Sequence, residues 1–133
     1  MERDEADGRE TPAGGSFVPG TVALERPAPA FAVVTLRGEH DLTTRAAIDD
    51  ALARAGDEAH VLVDLSECTF IDSTVIGALV HAFQSFGERG RRLELTIPPG
   101  AKPIQRVAKV AGLTTFLVIH ETRDAGLQSI SAT

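Results

Sequence analysis

The chain has no tryptophan, no tyrosine, a single cysteine and only two lysines, Lys102 and Lys109, in 133 residues. Each shortage removes a class of function. Without Trp and Tyr the best platforms for stacking nucleic-acid bases are missing, and a net charge of −6 argues against a surface built to hold a phosphate backbone, which needs clustered Lys and Arg. Only Arg89, Arg91 and Arg92 cluster, and they fall at a turn in the pattern. One cysteine forms no internal disulfide and is too few for a thiolate zinc site, which fits a reducing cytoplasm. Cys68 is therefore expected to be structural. No long hydrophobic run and no basic lead into an apolar signal region are present, so neither export nor a membrane anchor is expected.

What is there suits one domain with a tail. At 43% hydrophobic residues the chain has enough apolar surface for a single core but hardly for two. Residues 1–20, which include Thr11-Pro12-Ala13-Gly14-Gly15-Ser16, read as a flexible tail, and residues 21–133 as the domain. A short strand is expected at Thr21 to Leu24, broken by Pro27 and Pro29. A second, β-branched strand is expected at Phe31 to Leu36 with Gly38 as its end. Ile48, Ala51, Leu52 and Ala55 recur at helical spacing after Asp41 or Thr43 as cap, and Gly56 is the stop. Val61 to Leu65 is apolar without alternation, as a strand buried on both faces requires. Further along come a helix from Ser73 to about Arg89, a strand from Arg92 to Ile97 and a helix from Lys102 to Ala111. A strand at Phe116 to Ile119 and a helix from Arg123 to Ile130 capped by Thr122 close the chain. Strands alternating with helices over short connections specify an α/β fold. The expected sheet is mixed and mostly parallel, of four to five strands, covered by about four helices.

The junction Ile71-Asp72-Ser73-Thr74 places two hydroxyls behind a carboxylate where a strand gives way to a helix. A helix N-terminus carries free N–H donors and the positive end of the helix dipole, so a phosphate added there is stabilised locally while changing what can dock. Capping of the helix by one of the three side chains explains the same residues, and composition leaves both readings open. On a helical wheel Ile76, Leu79, Val80, Phe83 and Phe86 form the core face. Ser73, Thr74, Gly77, Ala78, His81, Gln84 and Ser85 fall opposite. Gly77 costs a helix about 0.5–1 kcal/mol relative to alanine, and its place on the small-residue face fits close approach by a partner or by a neighbouring helix.

Catalysis is not indicated. Ser73 lacks a Gly-x-Ser-x-Gly elbow and a base placed by sequence. His40, His60, His81 and His120 show no metal-ligand spacing, so no metal and no cofactor is expected. Acyl-phosphate chemistry on an aspartate would need a lysine at a later strand end, whereas Lys102 and Lys109 both fall on a helix.

Two segments together resemble the STAS domain family of anti-sigma factor antagonists and sulphate-transporter cytoplasmic domains. Val34-Thr35-Leu36-Arg37-Gly38-Glu39-His40-Asp41-Leu42 is similar to the family's strand and Gly-Glu-Leu-Asp turn, with His40 in place of Leu. Val63-Asp64-Leu65-Ser66-Glu67-Cys68-Thr69-Phe70-Ile71-Asp72-Ser73-Thr74 is similar to its second signature, Asp-Ser-Ser/Thr-Gly at a helix start, with Val75 in place of the first glycine and Gly77 retaining the second. The resemblance implies Ser73 as the phosphoacceptor, with Thr74 the lesser candidate. It implies a partner surface of Asp41, Asp72, Ser73, Thr74, Gly77 and His81. The implied partner is an anti-sigma factor with a histidine-kinase-like ATPase fold acting as serine kinase, opposed by a serine phosphatase. The function implied is partner switching in transcription regulation, as in a stress response, by a cytoplasmic phosphoprotein that is not an enzyme. Nucleic acid and membrane are not expected to bind. The alternative is an unmodified structural subunit of a larger complex such as a lipid-transport ATPase.

Overall fold

A computed structural model describes residues 18–57 and 59–132. The reading of residues 1–20 as a tail thus falls largely outside the described residues. Val18-Pro19-Gly20 belong to the folded part, because Pro19 bridges Glu39 and the Val18 carbonyl accepts from Glu39 N–H at 2.9 Å.

Among the described residues six strands form one sheet: β1 (Thr21–Ala28), β2 (Phe31–His40), β3 (His60–Asp64), β4 (Cys68–Ile71), β5 (Leu93–Thr96) and β6 (Ile119–His120). Four helices accompany them: α1 (Arg45–Ala55), α2 (Ser73–Glu88), α3 (Lys102–Val110) and α4 (Arg123–Ser131). The order is β1-β2-β3-β5-β6, with β1 antiparallel to β2 and the remaining neighbours parallel. The mixed, mostly parallel α/β architecture is as the sequence implies, with β4 as an additional short strand pairing the end of β2.

Several boundaries differ for physical reasons. β1 runs through Pro27 because it is an edge strand whose register shifts between Glu25 and Ala28, and there the missing proline N–H disturbs no regular ladder. Gly38 does not end β2. It takes a left-handed φ of 80° at a bulge, and the strand continues through it to His40. The last strand is later and shorter than Phe116 to Ile119. Leu113–Thr115 forms a 3-10 turn instead, which leaves Phe116 and Val118 largely exposed.

Alternation along the strands makes two cores. Ala32, Val34, Val61, Val63 and Leu95 face α1, α2 and α3, and Val33 and Leu62 face α4. Each fully buried leucine on the first side, among them Leu36, Leu79 and Leu95, contributes about 1.5–3 kcal/mol of burial. The α4 side is more polar. Arg123 donates to buried Asp64 at 3.1 Å and to Glu25 at 2.7 Å, and buried Glu94 accepts from His120 Nε2 and the Ser129 hydroxyl, both at 2.8 Å. Gly126 lets α4 approach the sheet, since a Cβ there would stand 2.8 Å from Leu62 Cδ1. Thr122 caps α4, accepting from Ala125 N–H at 3.0 Å.

Candidate functional site

The site lies where two parallel strands end side by side. His40 on β2 is in register with Ile71 on β4, so the next residues, Asp41 and Asp72, leave the sheet together at one end. Each then caps a helical turn. Asp41 Oδ1 accepts from Thr43 N–H at 2.9 Å and from the Thr43 hydroxyl, opening a 3-10 turn at Leu42–Thr44 that leads into α1. These two donors hold the Asp41 carboxyl below the ordinary carboxylate range. Asp72 Oδ1 accepts from Thr74 N–H at 2.9 Å and Val75 N–H at 3.2 Å, satisfying two free donors of α2.

Asp72 is the cap, and neither of its bonds uses the Ser73 hydroxyl, which is exposed at the first position of α2. An Asp72→Ala variant is expected to lose about 1 kcal/mol of stability while Asp72→Asn keeps most of it, read as a shift in the urea midpoint without a change of slope.

Around α2 the sequence-derived faces are mostly as drawn. Ile76, Leu79 and Phe86 are buried, Val80 and Phe83 pack against the core, and Phe83 meets Phe116 with ring centroids 5.3 Å apart. Ala78 is a correction. The helical wheel puts it on the outward side, yet it is 1% exposed, because α1 packs along α2 and widens the buried arc beyond a single stripe. Thr74 and Ser85 are half-buried for the same reason. What remains outward is a line of Ser73, Gly77, His81 and Gln84. A Cβ on Gly77 would meet only Arg45 Nη1, at 3.8 Å, so packing within the described residues does not require a glycine there. Val75 is 0% exposed and belongs to the core, so the β-branched residue does not stand in front of Ser73.

Sequence singles out neither Arg45 nor Arg106 in this neighbourhood, and gives His40 only as a departure from the family's turn. Arg45 on α1 reaches α2, donating from Nη1 to the Thr74 carbonyl at 3.1 Å while Nε pairs Asp49 at 2.9 Å. Arg106 on α3 lines a groove together with Ser73. His40 is no surface histidine: fully buried, it donates from Nε2 to the Arg37 carbonyl at 2.9 Å and places Nδ1 3.0 Å from the Thr44 hydroxyl, bracing the Asp41 turn from beneath. Gly20 makes room for that ring, because a Cβ on it would lie 2.8 Å from His40 Cε1. Arg106 could have been found from helical spacing; the burial of His40 had no local signal.

Cys68 is buried, and burial pushes its thiol up to about 11, the setting of an inert structural cysteine. Among the described residues no group of three or more His, Cys, Asp or Glu side chains gathers as metal ligands do, and no helix is long and apolar enough to cross a membrane.

Residues 24–119 match the family model described as Mlab, STAS domain. No curated protein matches the chain. Among solved structures, it is similar to an anti-sigma factor antagonist from Mycobacterium paratuberculosis, with a TM-score of 0.75, 20% identity and coverage of 84% of this chain and 94% of the other. It is also similar to the anti-sigma factor antagonist SpoIIAA in its unphosphorylated form, with a TM-score of 0.69, 18% identity and coverage of 85% and 100%. Bacillus SpoIIAA in the phosphorylated form gives 0.59, 21% identity and coverage of 83% and 99%.

Proposed function

This chain belongs to the STAS domain family, and from that premise we propose that it is an anti-sigma factor antagonist switched by phosphorylation of Ser73. Unphosphorylated, it binds an anti-sigma factor serine kinase of histidine-kinase-like ATPase fold and frees a sigma factor. Phosphorylated, it lets go until a serine phosphatase restores it. The setting is the cytoplasm, and the chain supplies no chemistry of its own. The observation that carries this reading is the Ser73 hydroxyl, exposed at the start of α2, uncommitted to the cap, and placed where Asp41 and Asp72 leave adjacent strands. Thr74, half-buried behind it, is the lesser acceptor. Gly77 and His81 continue the docking line along α2. The resemblance to antagonists known in both unphosphorylated and phosphorylated forms supports the same reading.

A phosphate of about −1.5 to −2 charges at Ser73 directly follows Asp72, at the end of the sheet where Asp41 leaves the neighbouring strand. It therefore adds repulsion and a desolvation cost to any interface formed there. A second reading, an unmodified structural subunit as in a lipid-transport ATPase, is favoured by the description of the matching family model.

Incubation with candidate kinases and ATP, followed by mapping of the modified residue by mass spectrometry, distinguishes them. Phosphate on Ser73, absent from Ser73→Ala, is the expected result. A stable complex with no modification by any cognate partner would favour the structural subunit instead.

A further inference from the structure

The molecule carries a net charge of −6, yet the outer side of α3 is basic. Lys102, Arg106 and Lys109 recur at i, i+4 and i+7 and are all exposed, opposite buried Ile104 and Ala108. They include both lysines of the chain. Arg37, Arg45, Arg54, Arg92 and Arg123 each pair with a carboxylate, whereas no cation of α3 does so among the described residues. Beside this stripe runs a groove of about 340 Å³ between α2 and α3, lined by Ser73, Ile76, Arg106, Val107, Val110 and Ala111. Its wall is apolar, and Val110 at its edge is 84% exposed. One cation and one hydroxyl, Arg106 and Ser73, border the same space from different helices.

We propose that this groove seats an acidic segment of a partner protein, with an apolar side chain against Ile76, Val107 and Val110 and carboxylates on Lys102, Arg106 and Lys109, and that Arg106 takes the phosphate when Ser73 carries one. Charge complementarity selects the occupant. A basic or wholly apolar segment would cover three cations without supplying a partner for them. Because the rest of the molecule is net negative, the local field of α3 also fixes the orientation in which an acidic segment approaches. Arginine holds a phosphate through paired N–H donors. Once engaged with phospho-Ser73, Arg106 is withdrawn from the incoming carboxylates, and the groove itself becomes negative. Phosphorylation then acts by self-occupation of the groove as well as by repulsion. The phosphate half of this inference rests on Ser73 as the modified residue; the acidic-segment half does not depend on any kinase.

The test titrates isotope-labelled protein with two synthetic amphipathic peptides that share the same leucines, one with glutamates and one with lysines on its polar face. The acidic peptide is expected to move the amide signals of Ile76, Val107 and Val110, and to bind about tenfold more weakly to a Lys102→Glu, Arg106→Glu, Lys109→Glu variant. Those exposed positions leave the fold intact. With phosphoserine installed at position 73, the acidic peptide is expected to weaken similarly. The phosphorus resonance should titrate at higher pH in Arg106→Gln than with Arg106 in place, because the guanidinium favours the doubly charged phosphate. Equal binding of the lysine peptide, or indifference of the acidic one to charge reversal, overturns the assignment of the occupant. An unchanged phosphorus titration in Arg106→Gln overturns the phosphate contact. Peptide binding that appears only after deletion of residues 1–17 would assign the groove to the chain's own acidic start, with Glu2, Asp4, Glu5, Asp7 and Glu10, and not to a partner. If no kinase modifies Ser73 while the peptide results stand, it is the proposed function that fails.

Discussion

Phosphoserine at position 73 is expected to lower affinity for the proposed anti-sigma partner by more than a hundredfold while leaving the domain as stable as before, or slightly more so. The two effects have opposite signs because they arise from different neighbours. Within the free protein the phosphate stands at the first position of α2, where the positive end of the helix dipole favours an anion by about 0.3–1 kcal/mol. Asp72 beside it opposes this in part. In the proposed complex the same group is enclosed with Asp72, which precedes it, at the end of the sheet where Asp41 leaves the neighbouring strand. Like-charge juxtaposition there costs several kcal/mol, and about 3–4 kcal/mol corresponds to a two- to three-decade loss of affinity. Calorimetric titration of the partner with wild-type, Ser73→Ala and phosphoserine-73 protein, alongside thermal melts, reads both effects. Ser73→Ala should bind nearly as wild type, because the exposed hydroxyl contributes to neither hydrogen bond of the cap. A phosphoserine protein that melts early would mean that lost affinity reflects lost fold.

The second large effect concerns Gly38, which carries β2 through its bulge to His40 and Asp41. Gly38→Ala is expected to cost about 3 kcal/mol or more. A non-glycine residue at φ 80° costs about 1–3 kcal/mol by itself, and here a Cβ would also stand 2.4 Å from the Pro19 carbonyl oxygen and 2.8 Å from that of Val18. Both contacts are backbone, so the Val18 to Gly20 segment would have to move, and with it the bond from Glu39 N–H to Val18. Gly90 supplies the internal control. Its φ is 71°, but none of the described residues lies within 4 Å of a Cβ built there, so Gly90→Ala carries the conformational cost alone. The difference between the two variants in urea denaturation isolates the contact. Asparagine, which tolerates left-handed geometry, should be nearly neutral at position 90 and still damaging at position 38. Near-equal losses at the two sites would mean that residues 18–20 yield freely and do not brace the site.

Much of this fold was legible in the sequence because its signals are local. β-branched runs, helical spacing and cap residues at the Asp72-Ser73-Thr74 junction and at Thr122 place most elements within a few residues. What was not legible depends on neighbours distant in the chain. β4 is only four residues long, buried at both ends and exposed between, and it exists as a strand because β2 continues past Gly38 to pair with it. A glycine at positive φ signals a stop and a bulge equally well, and only the partner strand decides between them. Ala78 looked outward because a wheel assumes one buried stripe, whereas α2 is flanked as well as backed. The polar contacts beneath α4, with Arg123 on Asp64 and Glu94 on His120, join residues far apart in sequence and left no pattern to read. At the site itself the hydroxyls and carboxylates were readable from type and order. That Asp72 and not Ser73 serves as the cap followed only from the hydrogen bonds.

The most direct measurement is release of a sigma factor from its preformed complex with the anti-sigma kinase, followed as this chain is added with either serine or phosphoserine at position 73. The unphosphorylated chain should displace the sigma factor in proportion to its concentration, and the phosphoserine chain should displace none over the same range. Equal displacement by both forms, or displacement by neither with every cognate kinase, would contradict a phosphorylation-gated antagonist.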